Sequence, residues 1–139
     1  MTKPLAATVD VLKALAHPVR LRMLAMLRGG ELCLCQLTAV LELAASTVSA
    51  HLADLKGAGL VGERKDGRWV FHRLMEGEEA SAHLGPVFRS LGRDPQVSAD
   101  ERLLRELRRV DVEELCRVDL DLKRLGIRRP PVPEARARQ

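Results

Sequence analysis

Aromatic side chains are nearly missing from this chain: of its 139 residues one is Trp, two are Phe and none is Tyr. A core without large rings is built from Leu, Val, Ala and Met, and unbranched side chains lose little rotamer freedom in a helix. Helical packing is therefore favoured over sheets. Long apolar runs are lacking too. No stretch approaches the roughly 20 residues needed to cross a bilayer as a helix, and Met1, Thr2, Lys3 and Pro4 do not open a secretory signal. No membrane partner is expected, and the reading is cytoplasmic. Cysteine is scarce, at three residues: Cys33, Cys35 and Cys116. In the cytoplasm these read as reduced thiols, buried fillers or metal ligands, not as a disulfide framework. Also lacking are a coherent set of nucleophile, base and orienting group and a phosphate-binding glycine loop, so nothing points to an enzyme.

Charge is present in quantity but unevenly placed. The net charge is +4, with ten Lys or Arg against six Asp or Glu in residues 1–75 and thirteen of each in residues 76–139. The basic excess lies in the first half, where it suits a polyanionic partner.

Helical spacing of Leu5, Val9, Leu12 and Leu15 predicts a first helix over 5–16. Pro18 fits the first turn of a second, where its missing N–H costs nothing; that helix carries Leu21, Leu24 and Leu27 and stops at Gly29-Gly30. A third covers Cys35 to Leu41. A fourth spans 46–58, with Val48, Leu52 and Leu55 as its buried stripe. The period then changes: residues 60–64 and 68–74 flank Lys65-Asp66-Gly67, and an Asp-Gly step between such runs marks a hairpin. Short helices followed by a hairpin spell a winged helix-turn-helix. Beyond it, residues 79–91 read as a helix that Gly85-Pro86 should kink or divide. Ser98 with Glu101 and Asp111 with Glu114 are two capping patterns, predicting helices at 99–109 and 112–125. The fold class is thus mainly α with a small β-hairpin. Residues 1–92 read as the winged helix-turn-helix domain, 93–127 as a C-terminal helical extension, and 128–139, rich in Pro and Arg, as a disordered tail.

In such a fold the recognition helix enters the major groove by its N-terminal half. Here it would offer Ser46, Thr47, Ser49 and His51, with Lys56 farther along. The wing would offer Arg64, Lys65 and Arg68 to backbone or minor groove. Each of these residues taken alone also fits a helix cap or a solvated surface charge.

Cys33 and Cys35 carry the distinctive chemistry. Thiolates are soft ligands for thiophilic ions, although free cysteines are often simply buried hydrophobes. Residues two apart on a helix point about 200° from one another at about 100° per residue. Both sulfurs can grip one ion only if Cys33 lies outside the helix or the first turn unwinds. Binding would then distort the start of the third helix and misplace the recognition helix behind it. Cys116, beside Leu115 near a buried stripe, reads either as a core residue or as a third ligand from the same or the partner subunit.

The blocks Leu15-Ala16-His17-Pro18-Val19-Arg20-Leu21-Arg22-Met23-Leu24, Glu31-Leu32-Cys33-Leu34-Cys35-Gln36-Leu37, Thr47-Val48-Ser49-Ala50-His51-Leu52, Ala58-Gly59-Leu60-Val61 and Gly67-Arg68-Trp69-Val70 occur in that order. This arrangement resembles the ArsR/SmtB metalloregulators, and its Cys-Leu-Cys block their arsenic-responsive branch, over about residues 5–92. The resemblance implies a homodimeric repressor that binds double-stranded operator DNA and releases it on binding its inducer. As(III) or Sb(III) at Cys33 and Cys35 is the implied inducer, with Cys116 beyond the resemblance as the candidate third ligand and no catalytic cofactor expected. Ala45 and Ala50 stand where relatives often carry Gln and Arg, Leu37 where arsenic sensors often have another Cys, and Gln36 where a carboxylate is common. A thiol redox switch and a Cd/Pb sensor on the same scaffold remain alternatives, as does a helical module that binds a protein instead of DNA. His83 lacks a second His at zinc-site spacing. His17 reads as structural, and His72 falls in the hairpin.

Overall fold

A computed structural model describes residues 4–132. Seven helices and three strands follow in order: α1 (Pro4–Leu15), α2 (Pro18–Leu27), β1 (Leu32–Cys33), α3 (Leu34–Leu41), α4 (Ala45–Gly57), β2 (Val61–Asp66), β3 (Trp69–Leu74), α5 (Glu78–Leu91), α6 (Pro95–Leu107) and α7 (Val112–Arg117), then a 3-10 turn at Leu122–Leu125. This is a winged helix-turn-helix: α3 and α4 form the helix-turn-helix and the β2–β3 hairpin forms the wing.

Local chemistry accounts for α2, α3 and α4. His17 is extended and its Nδ1 accepts the Val19 N–H at 3.1 Å, so it caps α2 with Pro18 at the first helical position. The Gln36 side-chain oxygen reaches back to accept the Cys33 N–H at 2.9 Å and so defines the start of α3. That helix ends at Glu42 in the left-handed conformation, φ 56°. Val48, Leu52 and Leu55 bury one face of α4.

Five expectations need correction. The hairpin turn is Gly67-Arg68, not 65–67: Asp66 pairs with Trp69, and Gly67 takes the positive φ of 60° that the tight turn demands. The sheet has a third strand, β1, beside β3, which two residues of alternating pattern were too short to announce. α6 begins earlier than the Ser98 pattern suggests. Asp94 accepts the Gln96 and Val97 N–H groups at 2.9 and 3.1 Å, with Pro95 at the first helical position, so a stronger cap wins. The helix expected over 112–125 is broken. Asp119 and Leu120 take φ of 54° and 61°, the Leu120 N–H closes on the Leu115 carbonyl at 3.1 Å, and Asp121 caps the separate turn that follows. α5, by contrast, runs undivided through Gly85-Pro86.

The segment after residue 92 joins the same core. Leu103, Leu104, Leu107, Leu115, Leu122 and Ile127 are buried with Met23, Leu24, Leu37 and Leu55. Three arginine contacts pin it. Arg22 on α2 makes two bonds of 2.9 Å to the buried Asp100 carboxylate on α6. Arg108 donates to the Gly29 and Gly30 carbonyls at 3.0 and 3.2 Å, at the C-terminal end of α2. Arg129 donates to the Ala39 and Val40 carbonyls of α3. Cations placed there satisfy carbonyls that the helix itself leaves unpaired. Of the expected tail, residues 128–132 are described and Arg129 is docked; residues 133–139 lie outside the described residues.

Asp100→Ala leaves the Arg22 guanidinium without its carboxylate. The expected loss of stability is about 2–3 kcal/mol, below the usual cost of breaking a buried pair because Arg22 keeps 23% of its side chain exposed. Urea denaturation checks this, and Arg22→Met with Asp100→Leu should recover part of the loss.

Candidate functional site

The helix-turn-helix begins at a strand-to-helix junction, and that junction holds two of the three thiols. Cys33 is the last residue of β1, only 2% exposed, and pairs with Phe71 of β3. Cys35 lies in the first turn of α3. The strand therefore ends before the helix starts, and the opposed orientation of two helical positions two apart does not arise. Cys116, near the end of α7, comes to α3 from 81 residues away: its Sγ lies 2.7 Å from that of Cys35. Packing of α7 across α3 creates this approach. All three cysteines are free thiols.

The surroundings of Cys33 and Cys35 favour the protonated form. Burial pushes the Cys33 thiol up, although the Gln36 and Cys35 N–H groups at the start of α3 oppose it. Cys35 is pushed up to about 12, first by burial, then by the hydrogen bond and charge of Cys116, then by Cys33. Among the described residues, no three His, Cys, Asp or Glu side chains form a group that could hold a metal ion. The fold builds a close pair, Cys35 with Cys116, and keeps Cys33 two residues away. Soft sulfur without converging oxygen or nitrogen donors fits a thiophile better than a hard cation.

The residues expected at DNA are divided between two elements. Ser46, Thr47 and Ser49 are exposed in the first turns of α4, with Lys56 exposed at its other end and paired with Glu63 at 2.9 Å. His51 is turned to the protein. Its Nδ1 accepts the Arg20 Nε–H at 3.0 Å, its ring lies 4.5 Å from that of His17, and Arg20 also grips Asp54 at 2.5 Å. Burial, then the charges of His17 and Arg20, push the His51 imidazole down, and because Nδ1 accepts from Arg20 the neutral ring carries its proton on Nε2. This cluster fastens α4 to the start of α2.

On the wing, Arg64 pairs with Glu31 at 2.5 Å and stacks over Phe71. Arg68 pairs with Glu113 of α7 at 2.5 Å and stacks over Trp69. Lys65 is exposed. Glu31, Glu113 and Arg20 are partners that sequence reasoning missed. Their pairings span 33, 45 and 31 residues, and no local pattern encodes them.

Comparison with known proteins bears on the same elements. The family described as bacterial regulatory protein, arsR family, matches residues 17–63, from the α2 cap into the first wing strand. The transcriptional activator HlyU of Vibrio cholerae is 44% identical over 78 residues, which are 56% of this chain and 72% of that protein. The chain belongs to the arsR family. A solved structure of HlyU superposes with a TM-score of 0.58 at 39% identity, covering 67% of this arsR-family chain and all of that one. The homodimeric winged helix-turn-helix DNA-binding domain Mb0332 of Mycobacterium bovis superposes with a TM-score of 0.54 at 31% identity, over 63% of this chain and 82% of its own. The arsenic resistance transcriptional regulator ArsR1 of Pseudomonas putida is 49% identical over 65 residues; the match spans 46% of this chain and about half, 51%, of that relative. The arsR family match includes Cys33 and Cys35 and stops before β3, so Cys116 and the whole of α6 and α7 lie beyond it.

Proposed function

We propose that this chain is a dimeric repressor that binds operator DNA through α4 and the wing and leaves it when trivalent arsenic or antimony binds Cys33, Cys35 and Cys116. One observation carries the sensing half: the 2.7 Å approach of two sulfurs 81 residues apart in the chain. A relative 49% identical over its match is named an arsenic resistance regulator, which supports the same inducer class here. For the dimer, α1 carries Leu5 and Leu12 at 79% and 58% exposure with Val9 between them, an apolar row that suits a second copy of the chain. Mb0332, a homodimer by its name, has the same fold.

Binding proceeds by exchange. Arsenous acid carries hydroxides; each As–S bond forms as one As–O bond breaks, and the hydroxide leaves as water with the thiol proton. Cys35 and Cys116 meet the ion first, and Cys33 closes on it from the end of β1. Drawing Cys33 and Cys35 to one centre distorts the first turn of α3, and α4 follows three residues after α3 ends. Displacement of the recognition helix from the groove releases DNA.

The same pair of sulfurs supports a second reading, a redox switch in which Cys35 and Cys116 close as a disulfide. The thiolate is the attacking species, and a Cys35 thiol pushed up to about 12 supplies little of it. This reading ranks second. The test is a titration of DNA release by As(III), Sb(III), Cd(II) and peroxide, followed by fluorescence anisotropy. Release by As(III) or Sb(III) at concentrations where peroxide does nothing is the expected result. Release by peroxide alone would move the function to the redox reading.

A further inference from the structure

Two of the wing arginines, Arg64 and Arg68, are held by carboxylates that sit next to the sensor cysteines. Glu31 precedes Cys33 by two residues and pairs with Arg64; Glu113 precedes Cys116 by one helical turn and pairs with Arg68. The backbone repeats the link. Cys33 pairs with Phe71 of β3, and Phe71 pairs in turn with Arg64 of β2, so Cys33 and Arg64 lie in one row across the sheet. The α7 helix bridges the two regions, with the Cys116 sulfur against α3 and the Glu113 carboxylate against the wing.

We propose that Glu31 and Glu113 are positioning residues that compete with DNA phosphates for Arg64 and Arg68, and that an ion at the thiols tips this competition toward the carboxylates. The inference rests on the thiol-sensing reading above. Both pairs are exposed, with Arg68 and Glu113 at 71% and 55%, so neither is held tightly. A phosphate backbone displaces such a carboxylate readily, because DNA offers a continuous row of anions. An ion that ties Cys116 to Cys35 fixes α7 against α3 and keeps Glu113 beside Arg68. The wing then meets DNA with its arginines already engaged. Release through the wing acts alongside displacement of α4.

The experiment measures affinity for a fluorescent duplex selected by the wild-type chain from a random pool, over a range of salt, with and without arsenite. Protection of thiols from a colorimetric reagent reports arsenite binding separately. Glu31→Gln and Glu113→Gln are compared with Glu101→Gln on α6, which removes the same charge away from these pairs. Each of the first two should bind duplex about two- to fivefold more tightly than the control, the scale set by an exposed ion pair. Their salt dependence should be steeper, since no freed carboxylate takes up a cation. Their loss of affinity on adding arsenite should shrink by a similar factor while the thiols stay protected, and Glu113→Asp should restore the wild-type response. Affinities and salt slopes equal to those of Glu101→Gln overturn the proposal, as does tighter binding with an undiminished arsenite response. If arsenite protects no thiol in the wild-type chain, the sensing reading fails. The competition for the arginines then stands or falls on the duplex affinities alone.

Discussion

Cys116→Ser is expected to raise the arsenite concentration needed for DNA release by about 100-fold or more, since even the loss of an outer partner at such a site costs 10–100-fold in affinity. Cys35→Ser should do the same, because the two sulfurs share one point, 2.7 Å apart. The double substitution should be little worse than either alone, as expected for groups that act as a unit. Duplex affinity without arsenite should stay within about twofold of wild type, because neither side chain is placed at DNA and single half-buried substitutions of this size perturb folding modestly. Cys116→Ser with an unchanged release curve would remove α7 from the site and leave Cys33 and Cys35 to act alone. Circular dichroism of each variant guards against a trivial loss of fold.

The second large effect is a contrast in pH dependence. Burial first, and for Cys35 also the neighbouring Cys116 and Cys33, push the Cys33 and Cys35 thiols above their ordinary value, to about 12 for Cys35. Both therefore stay protonated from about pH 6 to about pH 8, since they ionise above the ordinary thiol value of about 8.5. A bare divalent cation such as Cd(II) must expel one proton for each thiolate it binds. Its affinity should rise about tenfold per proton for each pH unit, or about 100-fold per unit for two thiols. Arsenous acid brings its own hydroxide, which leaves with the thiol proton as water, so its affinity should stay nearly flat over the same range. The sign follows directly: acidifying the solution favours the metalloid over the divalent cation. Competition between arsenite and Cd(II) at the two ends of this range, read by thiol protection, checks it. A steep rise for arsenite, or a flat response for Cd(II), contradicts the protonated starting state.

Much of the scaffold was legible in the residues because its signals are local. Leu21, Leu24 and Leu27, or Val48, Leu52 and Leu55, declare a helix within a few turns of chain. Asp66-Gly67 declares a tight turn, because few residues besides glycine accept its positive φ. Errors arose where two local signals competed over the same few residues. Ser98 and Asp94 both resemble caps, and Asp94 prevails because Pro95 is preset for the first helical position. The helix expected over 112–125 carries an apolar stripe throughout, but Asp121 offers a second cap inside it, and the chain takes that second start. The strand β1 was too short to show a period, and its existence depends on a partner, β3, nearly forty residues away.

The sequence by itself determined the winged helix-turn-helix, the position of the Cys-Leu-Cys block at a helix start, and the basic hairpin. Each of these follows from side-chain spacing, capping and turn chemistry acting over fewer than about ten neighbours. Only the tertiary structure decided which thiol meets which, and what the wing arginines hold. Cys116 reaches Cys35, Arg68 reaches Glu113 and Arg64 reaches Glu31 because α6 and α7 bury Leu103, Leu107 and Leu115 against α2 and α3. The hydrophobic burial that directs that docking is non-directional. It sets which surfaces come together without marking, in the local sequence, the polar pairs that will face each other when they do.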